Sequence, residues 1–199
     1  MTDGKSQITI DPAFLAFDID GVVADTINLF LDIAKDEYNI HNIRYEDITR
    51  YILEQCLDID TKIIDDILVK LLDGAYTSRL KPIDGSVGVL TRLAQNHSPV
   101  IFVTARPYLE PICEWIVNIL PIEKSAIDVV ATGHFEAKLD VLLSKNILYF
   151  VEDRLDTCFL LKDAGITPVV YKQPWNRENH PFVEVDNWRE LESLIDFRY

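Results

Sequence analysis

Five short apolar runs alternate with amphipathic helical segments along this chain of 199 residues. The runs cover residues 13–17, 100–103, 128–131, 147–151 and 167–171. Runs of this length that are separated by helical patterns are typical of parallel strands covered by helices on both faces. The sequence therefore predicts an α/β fold built on a doubly wound, mostly parallel sheet.

One long interval between the first and the second run interrupts this alternation. Residues 26–80 contain no strand pattern. Apolar side chains recur there at helical spacing in three stretches, 27–38, 48–55 and 63–72. Three helices are more than one crossover between parallel strands requires. We therefore expect a small all-helical cap at 26–80, inserted after the first strand into a core formed by 1–25 and 81–199. A scaffold or a dimer interface is the alternative role for this insert.

The chain is strongly acidic, with 19 basic and 33 acidic residues and a formal net charge of −14. Nucleic-acid polymers and anionic membranes bind basic surfaces, so neither is expected as a partner. Apolar residues make up 48% of the chain, which excludes a disordered acidic tail. The three cysteines show no C-x-x-C pattern. No apolar stretch approaches the roughly 18 residues of a membrane span, and the polar first residues predict no signal peptide. We therefore expect a cytoplasmic protein.

Acidic residues directly follow two of the predicted strands. Asp18 and Asp20 come after the first run, and Glu152 and Asp153 come after the run at 147–151. Because the carboxyl ends of parallel strands form one edge of a sheet, these side chains are predicted to share a crevice. Several carboxylates cannot stay ionised in one crevice without a cation, and oxygen ligands of this kind favour Mg²⁺. A D-x-D pair by itself is more typical of a capped turn.

A hydroxyl group and a positive charge complete the predicted constellation. Thr104 and Ala105 follow the strand at 100–103 and bring a hydroxyl and backbone N–H groups to the same edge. Lys138 is expected to place its ammonium group near the carboxylates, with a solvated surface lysine as the alternative. Arg106 is more typical of an ion pair with the surplus acids than of a contact with a second substrate anion.

In their order and spacing, these motifs resemble those of phosphatases of the haloacid dehalogenase-like superfamily. The segment DIDGVVADT at 18–26 matches the first superfamily motif, D-x-D-G-V-x-x-D-T, throughout. The strand that ends in Thr104, the lysine Lys138 and the acidic pair at 152–153 match the other three. The resemblance extends over residues 13–171. It implies a magnesium-dependent phosphatase that acts on a small phosphorylated metabolite through an aspartyl-phosphate.

The resemblance also implies a role for each residue. Asp18 would be the nucleophile, and Asp20 would be the general acid toward the leaving alcohol and then the base for water. Lys138 would offset charge between the nucleophile and the phosphate. The magnesium ion would be held by the side chains of Asp18 and Asp153 and by the backbone carbonyl of Asp20. Glu152 would orient a water on the metal.

The remaining implied roles concern the phosphate and the choice of reaction. Thr104 and the amide of Ala105 would bind the phosphoryl oxygens together with Lys138. Dehalogenating relatives lack the second acid of the D-x-D pair, so the presence of Asp20 favours ester cleavage over the release of halide.

Three short segments narrow the resemblance to the 5′(3′)-deoxyribonucleotidase group. They are T-A-R at 104–106, E-D-R at 152–154 and Q-P-W-N at 173–176. The chain departs from that group at Glu152, where an aspartate is usual, and at Arg106, where a small residue is usual. A nucleoside monophosphate is therefore the leading substrate class. A phosphatase of sugar or other small organic phosphates, a catalytically idle binding protein and a mutase stay open as alternatives, and so do a monomer and a homodimer.

Overall fold

The computed structural model describes residues 8–198 and contains six strands. They are β1 (Leu15–Phe17), β2 (Val100–Thr104), β3 (Ile127–Ala131), β4 (Tyr149–Glu152), β5 (Thr167–Tyr171) and β6 (Val183–Val185). All six lie in one sheet in the order β3-β2-β1-β4-β5-β6, and every neighbouring pair is parallel. The predicted α/β class and parallel sheet are confirmed. The edge strand β6 was not predicted, because Glu184 interrupts its apolar run.

The helices of the described part are α1 (Thr26–Tyr38), α2 (Thr61–Leu72), α3 (Ser86–Asn96), α4 (Leu109–Ile119), α5 (Ala137–Ser144), α6 (Leu155–Asp163) and α7 (Trp188–Leu194). Neighbouring strand residues point to opposite faces of the sheet, so both faces of the central strands are buried. In β1, Phe17 packs with residues of α3, α4 and α7, whereas Ala16 packs with residues of α5 and α6. Among residues 8–198, no helix combines the length and apolarity that crossing a membrane requires.

The sheet reverses its direction of growth between β1 and β4. The chain adds β2 and β3 on one side of β1 and then returns to place β4 on the other side. The carboxyl ends of the two strands at such a switch point face a crevice, where α/β sheets bind their ligands. Phe17 pairs with Val151, and the N–H of Asp18 donates to the carbonyl of Val151 over 2.9 Å. The acidic segments that follow β1 and β4 therefore lie side by side.

The segment 26–80 forms α1, α2 and several short 3-10 turns between β1 and β2. The helix that the spacing of apolar residues predicted at 48–55 is wrong, because the chain forms only a 3-10 turn there, at Leu53–Gln55. The apolar side chains of this stretch do not share one helical stripe. Ile48 is buried in the core, whereas the ring of Tyr51 meets the ring of Phe135 edge-on, with centroids 5.6 Å apart. The division into core and cap stays a prediction, and residues 1–7 of the expected core lie outside the described residues.

Candidate active site

The switch point brings together three acidic side chains and one lysine. Asp18 follows β1, Glu152 ends β4, Asp153 comes next, and Lys138 lies in the first turn of α5. The ammonium nitrogen of Lys138 is 2.8 Å from Asp18 Oδ1 and 2.9 Å from Glu152 Oε2. All four residues are buried, and Lys138 is only 1% exposed. One ammonium group is thus shared by two buried carboxylates.

Burial and charge act against each other on these groups. Burial raises the pKa of Asp18 well above its usual value, and the nearby Lys138 only partly opposes this rise. Burial by itself lowers a lysine pKa, but the charges of Asp18 and Glu152 outweigh it and raise the pKa of Lys138. Lys138 therefore stays charged, and the carboxylates around it compete for positive charge.

Glu152 uses both of its carboxylate oxygens on protein donors. Oε2 accepts from the ammonium of Lys138, and Oε1 accepts from the backbone N–H groups of Asp153 and Arg154, each over 3.0 Å. Although burial opposes it, these contacts hold the pKa of Glu152 below its usual value. The side chain consequently fixes both the lysine and the backbone of the neighbouring aspartate. Its predicted role beside a metal-bound water stays a prediction.

Asp153 carries the carboxylate that fits a metal ion best. Its Oδ2 accepts from the indole N–H of Trp175 over 3.0 Å, whereas its buried Oδ1 finds no hydrogen-bond partner among residues 8–198. One oxygen each of Asp18, Glu152 and Asp153 lie within 4.8 Å of one another. Burial, followed by the charges of Glu152 and Asp18, raises the pKa of Asp153 well above its usual value. Three carboxylates against one lysine leave negative charge that a divalent ion such as Mg²⁺ would neutralise, so the residues fit the predicted ion.

Asp20 forms a bidentate ion pair with Arg106. Arg106 donates from Nη2 to Asp20 Oδ1 over 2.7 Å and from Nε to Oδ2 over 2.9 Å, and the hydroxyl of Thr26 donates to Oδ1. A third donor of Arg106, Nη1, reaches the carbonyl of Leu71 near the end of α2 over 3.2 Å. Burial opposes the ionised form, but the charge and hydrogen bonds of Arg106 prevail and hold the pKa of Asp20 below its usual value. Asp20 is therefore a carboxylate in this arrangement.

Thr104 and Ala105 lie at the end of β2, beside the acidic crevice. The buried Thr104 accepts the backbone N–H of Arg106 on Oγ1 over 3.2 Å. Its carbonyl accepts the backbone N–H of Thr132 over 2.9 Å, which fixes the end of the strand. Ala105 lines a cavity together with Asp20.

This cavity, of about 490 Å³, lies between the segment 26–80 and the strand ends. Its wall is mostly apolar and aromatic, with contributions from Ile48, Tyr51, Leu53, Leu68, Leu71, Phe135 and Trp175. Its charged lining residues are Asp20, Arg50, Glu54, Arg106, Asp153 and Arg154. The guanidinium of Arg154 lies 4.1 Å from the ring centroid of Phe135 and 5.0 Å from that of Tyr51. The cavity wall therefore combines the acidic groups Asp20 and Asp153 with aromatic rings, and Arg154 lies near two of these rings, Tyr51 and Phe135.

Two features of the site were missed from the sequence. An ion pair for Arg106 was expected, but not that its partner is Asp20, 86 positions away. The hydrogen bond from Trp175 to Asp153 was not predicted, because it depends on how β4 and β5 lie side by side. No local pattern in the sequence predicts the contact between Arg106 and Asp20 or the contact between Trp175 and Asp153.

Comparison with known proteins identifies one family by sequence. Residues 12–198 match the family described as 5′ nucleotidase, deoxy (pyrimidine), cytosolic type C protein. No curated protein matches the chain.

Solved structures share the fold at low sequence identity. A haloacid dehalogenase-like hydrolase from Streptococcus pneumoniae is 12% identical with a TM-score of 0.60, over 94% of this chain and 98% of that one. A hydrolase from Pseudomonas syringae is 14% identical with a TM-score of 0.55, over 92% and 99%. CbbY from Rhodobacter sphaeroides, solved with phosphate, is 13% identical with a TM-score of 0.56, over 89% and 95%. At these identities the likeness shows the fold alone.

Proposed function

Because the chain belongs to the family of 5′ nucleotidases, deoxy (pyrimidine), cytosolic type C, and is thus a phosphatase of haloacid dehalogenase type, we propose that it hydrolyses small phosphate monoesters with Mg²⁺ through an aspartyl-phosphate on Asp18. The observation that carries this proposal is the buried group of Asp18, Lys138 and Asp153 at the switch point of the sheet. It provides a nucleophile, a fixed positive charge and a carboxylate oxygen suited to a metal. The cytosolic location in the family's description supports a cytoplasmic protein.

The reaction begins at the Asp18 carboxylate. Lys138 binds its Oδ1, so we assign the attack on phosphorus to the second oxygen. A bond forms between that oxygen and phosphorus while the bond from phosphorus to the leaving alcohol breaks. Water then attacks the aspartyl-phosphate, which releases inorganic phosphate and restores Asp18. Bound Mg²⁺ would supply positive charge beside the transferred phosphoryl group.

Asp20 carries the proton in both steps. It gives a proton to the leaving alcohol and takes one back from the attacking water, so the protons balance over the cycle. The ion pair with Arg106 keeps Asp20 ionised, which is the form that the second step requires. The first step requires a proton on the same carboxylate. We therefore expect the contact between Arg106 and Asp20 to loosen when substrate fills the cavity.

The cavity supports a nucleoside monophosphate as the substrate. The aromatic part of its wall, Tyr51 and Phe135 with the guanidinium of Arg154 near both rings, offers ring surfaces and a hydrogen-bond donor to a base. We propose that residues 26–80 act as a cap that encloses this leaving group and keeps water out. Six basic and eleven acidic residues give that segment a net charge of −5, which suits a small substrate better than a phosphoprotein.

A sugar phosphate is the second candidate. Arg50 and Glu54 line the cavity within the segment 26–80, and charged groups of this kind bind the hydroxyls of a sugar. A panel of nucleoside monophosphates and sugar phosphates, assayed with Mg²⁺ and with a chelator, separates the two. Equal or faster turnover of the sugar phosphates would refute the nucleotide assignment, and failure to hydrolyse any ester would favour a binding protein.

The nucleophile is tested by Asp18→Asn, with Asp128→Asn as the matched control. Asp128 lies on β3, outside the acidic crevice, and forms an ion pair with Lys145. We expect Asp18→Asn to lower kcat by about 10⁴-fold or more, because the covalent route is lost, and Asp128→Asn to stay within a few-fold of the parent. Acid quenching of the wild type during turnover should trap labelled phosphate on the protein. Undiminished hydrolysis by Asp18→Asn would remove Asp18 from the nucleophile's role.

A further inference from the structure

Asp153, the aspartate proposed to bind the metal, accepts a hydrogen bond from Trp175 in the loop after β5. A 3-10 turn after β5, Pro174–Asn176, places Trp175 and Asn176 against Asp153. We propose that Trp175 is a positioning residue that fixes the carboxylate of Asp153 for metal binding. This inference rests on the proposed function, because it assumes that Asp153 binds Mg²⁺.

Contacts on the backbone of Asp153 fix where its side chain starts. Its N–H donates to Glu152 Oε1 over 3.0 Å, and its carbonyl accepts from the amide of Asn176 over 2.8 Å. The same amide also reaches the carbonyl of Tyr171 over 2.9 Å, so it joins the ends of β4 and β5. With both backbone groups fixed, the remaining freedom of Asp153 is rotation of its carboxylate.

Two groups restrict that rotation. The indole N–H of Trp175 donates to Oδ2 over 3.0 Å. On another side lies Gly21, where a Cβ atom would come within 2.1 Å of the same Oδ2. Oδ2 is therefore confined between the indole and a backbone that only glycine leaves open. Oδ1 is left as the buried oxygen without a hydrogen-bond partner among residues 8–198, free to act as a ligand.

The indole is itself supported from the segment 26–80. The ring of Tyr45 lies against that of Trp175, with centroids 5.9 Å apart, and its hydroxyl donates to Gln173 Oε1 over 2.6 Å. Gln173 in turn donates from Nε2 to the carbonyl of Gly21 over 2.6 Å. Trp175 is thus fixed in place before any ion binds, which is what a residue that orients a ligand requires.

Loss of the indole N–H should weaken metal binding without removing a ligand. Both oxygens of Asp153 would then lack a donor, and the carboxylate could rotate away from the direction that the ion needs. Removal of a group that orients a metal ligand typically costs about 10- to 100-fold in metal affinity. We expect an effect of that size on the dissociation constant of Mg²⁺.

The experiment is titration calorimetry of Mg²⁺ into chelator-treated full-length protein. The variants are Trp175→Phe and a protein with 3-benzothienylalanine at position 175, which keeps the bicyclic ring but replaces the N–H by sulfur. Trp115→Phe is the matched control, because Trp115 is also buried and its indole donates over 2.9 Å to the carbonyl of Leu80. Circular dichroism and thermal melts without Mg²⁺ establish that each variant is folded.

We expect both variants at position 175 to bind Mg²⁺ about 10- to 100-fold more weakly and Trp115→Phe to stay within about twofold of the wild type. Unchanged Mg²⁺ affinity in the benzothienylalanine protein, or an equal loss in Trp115→Phe, would overturn the inference. A wild-type protein that binds no Mg²⁺ would refute the proposed function instead. The two failures are therefore distinguishable.

Discussion

Replacement of Lys138 by methionine tests the central electrostatic feature of the site. The substitution keeps most of the aliphatic stem and removes the charge that Asp18 and Glu152 share at 2.8 and 2.9 Å. Breaking a buried ion pair by removing one partner typically costs about 3–5 kcal/mol, because it leaves an uncompensated charge. For a chain of this length each kcal/mol lowers Tm by about 2–4 °C. We therefore expect Lys138→Met to lower the Tm of the metal-free protein by about 6–20 °C.

The pH dependence gives this prediction a second readout. Without the lysine, the carboxylates of Asp18 and Glu152 keep their protons to higher pH in the folded state than in the unfolded state. Stability falls with rising pH wherever the folded state binds more protons. The loss caused by Lys138→Met should therefore be larger at pH 8 than at pH 5. Urea unfolding at the two pH values, followed by circular dichroism, measures it.

Lys145→Met is the control for the loss of a lysine charge. Lys145 pairs with Asp128 over 2.6 Å, but these side chains are 29% and 33% exposed. Exposed pairs contribute about 1 kcal/mol at most, so Tm should fall by no more than about 4 °C. If the two lysine variants lost the same stability at pH 8, Lys138 would not compensate buried charge, and the electrostatic account of the site would be refuted.

Three further predictions concern the same crevice. Gly21→Ala and Gly165→Ala both force alanine into a positive φ (+72° and +85°), which should lower stability by about 1–2 kcal/mol in each variant. Only the Cβ atom of Gly21→Ala meets Asp153, so only this variant should weaken Mg²⁺ binding in calorimetry. Asp20→Asn should release about one p-nitrophenolate per enzyme molecule from p-nitrophenyl phosphate and then stop turning over. This leaving group needs no proton, whereas the water that attacks the aspartyl-phosphate needs a base. Steady turnover in stopped-flow measurements would contradict this prediction. Burial raises the pKa of Asp18 and of Asp153, so the metal-free wild type should lose stability relative to Asp153→Asn as pH rises above about 4. A stability difference between the two proteins that does not change with pH in urea unfolding would argue against it.

The parts of the fold that local sequence encodes could be predicted. Strand positions follow from short apolar runs, and helix starts follow from side chains such as Asp25 and Asp60, which accept backbone N–H groups of α1 and α2. The carboxyl ends of those strands also follow from the runs. This is why Asp18 and Asp153 could be placed in one crevice from the sequence.

Contacts between distant parts of the chain could not be predicted in the same way. The apolar residues at 48–55 have helical spacing, yet all of Ile48, Tyr51, Ile52 and Leu53 line the cavity, Ile48 and Leu53 as buried and Tyr51 and Ile52 as exposed side chains. The spacing in the sequence does not distinguish this arrangement from a helix. Likewise, whether the N–H of Trp175 meets a carboxylate or a carbonyl depends on the offset between neighbouring strands. Such information lies in the packing of the sheet and not in any local pattern.

The charges of the crevice divide into two groups. Asp20 and Arg106 neutralise each other, so this pair makes no demand for an outside cation. At the switch point Lys138 meets Asp18 and Glu152, and if all the carboxylates are ionised, three negative charges against one positive charge leave two in excess. A divalent ion matches that excess, whereas a monovalent ion would leave buried charge uncompensated. Because Asp153 is the member of this group that Lys138 does not contact, the charge balance and the free Oδ1 both favour Asp153 as the main ligand of the proposed ion.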